Sequence, residues 1–353
     1  MGIGVAEDFV EIARRIGTNP LGRLMYGQRE LFHSNLLAWV FDVLPAVADA
    51  AFQTFTQPGA GNERRVDRER GHLDLVMNWP GHAPLAIENK VFSIPSREQL
   101  TAYEKATAKW PEKPILLLLS MSQAGFNTGR WKELNYATLA TSFEGALPDC
   151  SSYEVETVRK YIDLIRDLDI LVNGTDIKSD GEPVWIDEAR LRELGSSQMG
   201  AALQKARAQR VAIKIDRRLN DRAYPVDCGM SRATPMVQQL VPVRVDGRRV
   251  SLGWQLQGNQ FRRAVVFRDS GLQGGSAIKR TKREDLSRQF SNLFEFPPGL
   301  PQEHAGKKVF NHFAPDFVYQ YVKVPGLTVS ELGAAADWVR NQIEAVRDSE
   351  SPS

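Results

Sequence analysis

The chain has 353 residues, 42% of them hydrophobic and 25% charged, an ordinary globular composition spread over a length that points to two domains. No uninterrupted apolar run approaches the length of a membrane span, and the first residues lack a basic flank leading into an apolar stretch, so neither a transmembrane helix nor a secretory signal is expected. The two cysteines, Cys150 and Cys228, share no metal-type spacing with each other or with a histidine, and a reducing cytoplasm suits them.

The net charge of +2 conceals an asymmetry, with −4 over residues 1–175 and +6 over residues 176–353. Within the second half, residues 201–290 hold 19 Lys/Arg against 7 Asp/Glu, a local +12 and a candidate footprint for a polyanion.

In chain order, residues 30–44 place Leu36, Trp39, Val40, Val43 and Leu44 at helical spacing. Gly71 to Trp79 alternates, with Leu73, Leu75, Met77 and Trp79 on one side and His72, Asp74, Val76 and Asn78 on the other, which predicts a strand. A turn at Pro80-Gly81 leads to a second strand, Ala83 to Phe92. Ser96 then opens a helix running to about Trp110. Lys113 to Ser120 carries the run Ile115 to Leu119, suited to a strand covered on both faces. A helix over about 154–172 closes this first domain, assigned to residues 1–175.

After a polar, glycine-containing linker (Gly174 to Pro183), residues 185–353 read as a basic α+β domain for substrate binding or an accessory role. Val241 to Val245, the turn Asp246-Gly247 and Arg248 to Leu256 form a hairpin signal, and Phe261 to Arg268 a third strand. Val318 to Val324 and a helix around Leu332 to Val346 complete it. The strands carry Arg244, Arg248, Arg249, Arg262, Arg263 and Arg268, candidate nucleic-acid contacts. The interleaved Trp254, Phe261 and Phe267 read better as the buried side of the same sheet.

The chemistry-bearing constellation lies in the first half. Asp74 is on one predicted strand, and Glu88-Asn89-Lys90 follows on the next, with Glu88 and Lys90 on one face and Asn89 on the other. Gln99 and Tyr103 are i,i+4 neighbours on the following helix. Each residue also has a plainer role open to it. Asp74 and Glu88 could pair with Arg64, Arg65 or Arg70, Lys90 could reach out from a strand end, Gln99 could complete a capping box with Ser96, and Tyr103 could be core. His33, inside the apolar arc of its helix, could be a buried, hydrogen-bonded structural histidine.

Gly71-His72-Leu73-Asp74, Ile87-Glu88-Asn89-Lys90 and Gln99-Leu100-Thr101-Ala102-Tyr103 resemble, in this order, the three motifs of the PD-(D/E)XK nuclease superfamily, and within it the RecB-like branch. Glu30 to Trp39 resembles the opening helix of an uncharacterised bacterial group in that superfamily, so the resemblance covers about residues 29–173. No proline precedes Asp74, where His72-Leu73 stands instead.

The resemblance implies an α/β fold with a restriction-endonuclease-like core, a central mixed sheet flanked by helices, beside the second α+β domain. It implies a cytoplasmic, metal-dependent nuclease acting on DNA, in a role such as restriction or anti-phage defence, with Asp74, Glu88, Lys90 and Gln99 catalytic. Mg²⁺ (or Mn²⁺) would be held by Asp74 and Glu88, with Glu30 and His33 as further ligands, Glu63 as another candidate acid and the Asn89 carbonyl as a backbone ligand. A homodimer is compatible with this reading and a membrane partner is not. An RNA nuclease with the same site and a non-catalytic nucleic-acid-binding or interaction protein on the same fold are the competing readings.

Overall fold

The structure is a computed structural model describing residues 9–56, 63–93, 95–122, 124, 126–221, 223–232, 234–267, 283–285, 287–301, 305–306, 308–313 and 316–349. The chain divides into two units, one formed by residues 1–176 and 187–206, the other by residues 177–186 and 207–353. The expected linker is thus not a single crossing, because residues 177–186 belong to the second unit and residues 187–206 to the first.

In the first unit, α1 (Phe9–Thr18) leads into α2 (Pro20–Val43) and α3 (Pro45–Phe52). Asn19 starts α2 by accepting the Leu21 N–H with its side chain, and Pro20 occupies the first helical position, where no N–H is needed. The buried stripe of α2 is His33, Ser34, Leu37, Ala38, Val40 and Phe41, while Val43 is 39% exposed. The expected stripe through Leu36, Trp39 and Val43 is therefore rotated, because the polar His33 and Ser34 lie on the inward side and break the hydrophobic count.

Strands β1 (Arg65–Arg68), β2 (Leu75–Asn78), β3 (Leu85–Lys90), β4 (Ile115–Ser120) and β5 (Lys132–Asn135) form one mixed sheet in chain order. The β1–β2–β3 pairs are antiparallel and the β3–β4–β5 pairs parallel. The predicted strand from Gly71 starts only at Leu75. Glu69, Gly71 and His72 have left-handed backbone, with φ of 56°, 63° and 70°, and Arg70–His72 is a short 3-10 turn that cannot carry a ladder. The expected doubly covered strand is β4, with Leu116 to Leu119 no more than 3% exposed. Helix α4 (Arg97–Thr107) follows β3, and α5 (Tyr136–Ala146), α6 (Tyr153–Asn173) and α7 (Glu188–Arg192) complete the unit with the first part of α8 (Ser197–Leu219).

The second unit is built on a six-stranded antiparallel sheet of order β10-β11-β9-β8-β7-β6. Its strands are β6 (Asp227–Ser231), β7 (Thr234–Val245), β8 (Arg248–Gln257), β9 (Gln260–Val266), β10 (Asn311–Phe313) and β11 (Phe317–Lys323). Asp246 and Gly247, with φ of 50° and 71°, form the tight β7–β8 turn that Asp-Gly predicts. Helix α9 (Val329–Ser349) packs on β7 and β8, and with α8 residues it closes a core over one face of this sheet.

The fold is thus α/β, with a mixed sheet in one unit and an antiparallel sheet in the other. Among the described residues no single helix is long and apolar enough to cross a membrane; the segments Glu30–Val43 and Pro45–Phe52 reach that length only across a 116° bend.

Candidate active site

Strand β3 is buried throughout, although it reads Leu-Ala-Ile-Glu-Asn-Lys. Its register fixes a row on one face: Val76, Ala86 and Leu116 lie side by side, and one step on, Glu88 stands opposite Leu118 and Lys90 opposite Ser120. Continuing the β2–β3 register by one residue brings Asp74 opposite Glu88. The polar row therefore continues an apolar one. Leu73, Val76, Ala86, Leu100, Leu116 and Leu118 pack together directly behind it.

Glu88 is 2% exposed, and its Oε1 accepts two donors: Lys90 Nζ at 2.7 Å and Gln99 Nε2 at 3.0 Å. Its other oxygen, Oε2, is buried with no hydrogen-bond partner. Burial pushes the Glu88 carboxyl up to about 7; the Lys90 ammonium opposes that shift, while the negative fields of Asp74 and Glu30 reinforce it. Asp74 is also raised, by burial first, against the pull of its hydrogen bond from Asn89 and of Lys90. For Lys90 burial works towards the neutral amine, but Glu88, Glu30 and Asp74 together outweigh it and hold the group as an ammonium.

Asn89, between the two charged side chains, faces the other way and anchors the strand. Its backbone N–H donates to Asp74 Oδ2 at 2.7 Å. Its side-chain Nδ2 donates to the Glu30 carbonyl and to Ser34 Oγ, both at 3.1 Å, and its Oδ1 accepts from Tyr136 OH at 2.5 Å. One fully buried amide thus ties β3 to α2 and α5 while fixing the orientation of Asp74.

Gln99 takes part both in the start of α4 and in the hydrogen bonding of Glu88. Its backbone N–H is capped by Ser96 Oγ at 3.1 Å, but its side-chain amide reaches Glu88 and Tyr103 OH, the latter at 2.9 Å. The plain ion-pair alternatives are not what forms: Arg64 pairs with Asp49, and Arg65 and Arg70 pair with Asp67.

Glu30 lies close enough for its charge to act on Asp74, Glu88 and Lys90, and its Oε1 accepts from Ser93 Oγ at 2.6 Å. His33 has the buried, hydrogen-bonded place that stood as the alternative to a ligand role, with its Nε2 buried and unpartnered. It is fully buried, its Nδ1 meets Tyr161 OH at 3.0 Å, and its ring packs edge-on to Phe32 and Tyr136. Burial pushes it down to about 3, so it is a neutral imidazole inside an aromatic cluster. Glu63 is exposed. Among the described residues no three His, Cys, Asp or Glu converge as a ready metal cage.

A hard divalent cation does not need such a cage, since one or two carboxylates plus waters and substrate phosphate suffice. Asp74 and the orphaned Oε2 of Glu88 have that chemistry, and they are the residues that would hold it.

In the second unit the arginines separate into two kinds. Arg263 is 1% exposed and donates to the carbonyls of Gly253, Leu293 and Glu295 and to Gln342 Oε1, at 2.5–3.4 Å. Arg262 is 8% exposed, with its fork committed to Gln255, Gln257 and Gln260. The expectation that these two grip phosphate is corrected: their donors are spent inside the unit. Arg244, Arg248 and Arg249 are exposed, and Arg268 lies outside the described residues. Trp254, Phe261 and Phe267 are core, at 0%, 0% and 5% exposure.

Sequence reading did not single out Ser34, Ser93 or Tyr136. Their partners are 47 to 63 residues away in the chain, and no local pattern marks such a meeting. Comparison with protein-family models, curated proteins and solved structures found no match.

Proposed function

We propose that the chain is a metal-dependent nuclease of the PD-(D/E)XK type, hydrolysing phosphodiester bonds, with DNA as the substrate. The observation that carries this reading is the split of Glu88: one oxygen held by Lys90 and Gln99, the other buried, unpartnered and beside Asp74. An uncompensated carboxylate oxygen in a covered sheet costs stability, and a ligand cation offsets that cost. The mixed five-stranded sheet and the motif order support a restriction-endonuclease-like core.

A divalent cation held by Asp74 and Glu88 supplies Lewis acidity and a bound water of lowered pKa. The residues of the chain do the rest. Asn89 N–H and Gln99 hold the two carboxylates in one orientation, so little reorganisation accompanies ligand binding. Lys90, kept protonated, presents its ammonium on the Glu88 face, where it neutralises negative charge developing on a phosphate. Glu30 adds negative potential that favours the cation without being required as a direct ligand.

The test is incubation of the protein with plasmid DNA, linear DNA and single-stranded RNA, each with Mg²⁺, with Mn²⁺ and with EDTA. Metal-dependent cleavage of DNA is expected. Glu88→Ala should weaken metal binding and abolish cleavage, whereas Lys90→Ala should abolish cleavage with metal binding largely kept. Full activity of Glu88→Ala with Mg²⁺ would overturn the assignment, and cleavage of RNA alone would move the substrate. The competing reading is a nucleic-acid-binding or interaction protein on this fold without catalysis. Binding without cleavage under every metal condition would establish that reading.

A further inference from the structure

The outer face of the six-stranded sheet has a composition that core packing does not explain. On the inner face Leu252, Trp254 and Leu256 meet Phe261, Val265, Val318 and Val322 in the core. The intervening residues of β11 point the other way: Phe317, Tyr319, Tyr321 and Lys323. The three aromatics form a ladder, with ring centroids 5.9 and 6.2 Å apart, and none of them belongs to the core cluster. Tyr319 and Tyr321 are part-exposed, and Phe313 continues the ladder at 58% exposure.

The same face carries cations. Arg262 stands beside Tyr321 in register and lies over the Tyr319 ring at 4.6 Å. The oxygens of Gln255, Gln257 and Gln260 clamp it there. Arg244 and Arg249 are exposed and directly opposed across β7 and β8. Like charges so placed repel unless an anion lies between them. Among the described residues Arg244, Arg249, Arg262 and Lys323 form no ion pair, and the acid that the strand register puts on this face is Asp227, on the edge strand β6.

A protein-docking patch would place an apolar, charge-poor centre here. This face instead combines aromatic rings, glutamine amides and cations without matching acids, which suits bases and phosphates. A duplex hides its base faces, and a single strand offers them. We propose that this face binds single-stranded nucleic acid, with bases stacking on Tyr319 and Tyr321 and with Arg244, Arg249 and Lys323 holding phosphates. Arg262 is a positioning residue that fixes the Tyr319 ring. From strand spacing and rise, the tyrosines and the arginine pair lie about 17–25 Å apart, room for a short stretch of nucleotides. The proposal deepens the nuclease reading by naming the form of the substrate, but it rests on the sheet and needs no catalysis.

The test uses the full chain in EDTA, so that nothing is cleaved, and fluorescence anisotropy with labelled single-stranded DNA, single-stranded RNA and the corresponding duplex. The wild-type chain should bind a single strand more tightly than the duplex. Tyr319→Ala and Tyr321→Ala should each weaken that binding roughly fivefold to a hundredfold, while Tyr319→Phe and Tyr321→Phe retain it. Arg244→Gln with Arg249→Gln should shallow the salt dependence by about one unit per lost contact. Absence of single-strand binding, a preference for duplex, or unchanged affinity in both folded alanine variants overturns the proposal. If circular dichroism shows the alanine variants unfolded, the exposed arginine pair decides, and an unchanged salt slope overturns it. Loss of binding with cleavage retained counts against this face alone; retained binding without cleavage counts against the nuclease alone.

Discussion

The two sheets bury charge in opposite ways. In the second unit Arg263 sits in the core at 1% exposure, yet three carbonyls and Gln342 accept its N–H groups and the Trp338 ring lies 5.6 Å from its guanidinium. In the first unit Glu88 is buried almost as deeply, but only one of its two oxygens is satisfied. Depth of burial therefore does not by itself distinguish the two charges. What separates them is whether the surrounding residues complete the hydrogen bonding or leave a valence for something that arrives.

If the first sheet is the packed and poised one, damage there should outweigh the same damage on the second sheet's outer face. The largest expected loss is from Leu118→Ala, which opens a cavity beside Glu88 and should cost about 2–5 kcal/mol in chemical denaturation, against under ~1 kcal/mol for the part-exposed Leu240→Ala. Equal losses would break the comparison.

Next comes pH. The folded Glu88 carboxyl, at about 7, lies above its ordinary 4.5, so the folded state takes up a proton that the unfolded chain has released. The Glu88 contribution to metal-free stability is therefore greatest below pH 4.5 and falls by about 3 kcal/mol as pH rises to about 7, while the depressed His33 contributes in the opposite direction below its ordinary 6.5. In Glu88→Gln that part of the slope should vanish. Equal slopes for wild type and Glu88→Gln between pH 4.5 and about 7 would refute the unfilled-valence account, and divalent metal should shrink the difference between them.

A smaller effect is expected from Tyr136→Phe, which leaves Asn89 Oδ1 without its donor and should cost about 1–3 kcal/mol. The matched Tyr319→Phe on the outer face should be within about 0.5 kcal/mol of neutral. The smallest effect sharpens the comparison from the other side: Arg249→Gln relieves the repulsion with Arg244 and should leave stability unchanged or raise it by a few tenths of a kcal/mol, read from the thermal midpoint at low salt.

How much of this could be read from the chain depends on how local each cause is. The β3 face pattern, the β4 run and the Asp246-Gly247 turn are set by neighbours in sequence, and each stands where periodicity puts it. Gln99 was legible too, because Ser96 and Tyr103 are within a turn of it. The late start of β2 was not, since three consecutive turn-forming residues override an alternating pattern that continues through them. Nor was the inward place of Ser34 on α2, whose partner is supplied from Asn89. Reading arginine between aromatics as a binding signal failed at Arg263 for the same reason: its acceptors come from Glu295 and Gln342, far along the chain. The tyrosines of β11 were passed over because their arginine partner is on β9.

The ties of Asn89 bear on the order in which the first unit can assemble. Its side chain reaches back 59 and 55 residues to Glu30 and Ser34, and forward 47 to Tyr136. Closing loops of that length is slow compared with forming helices or hairpins, and the Asn89 amide is fully satisfied only when both closures are made. The anchoring of the carboxylate row is therefore expected to be completed late in folding, after α2 and α5 have docked. A nascent chain released only to β4 carries Asp74, Glu88 and Lys90 but has no Tyr136 to hold Asn89, so the row stays incompletely anchored until residues beyond the sheet's centre have been made.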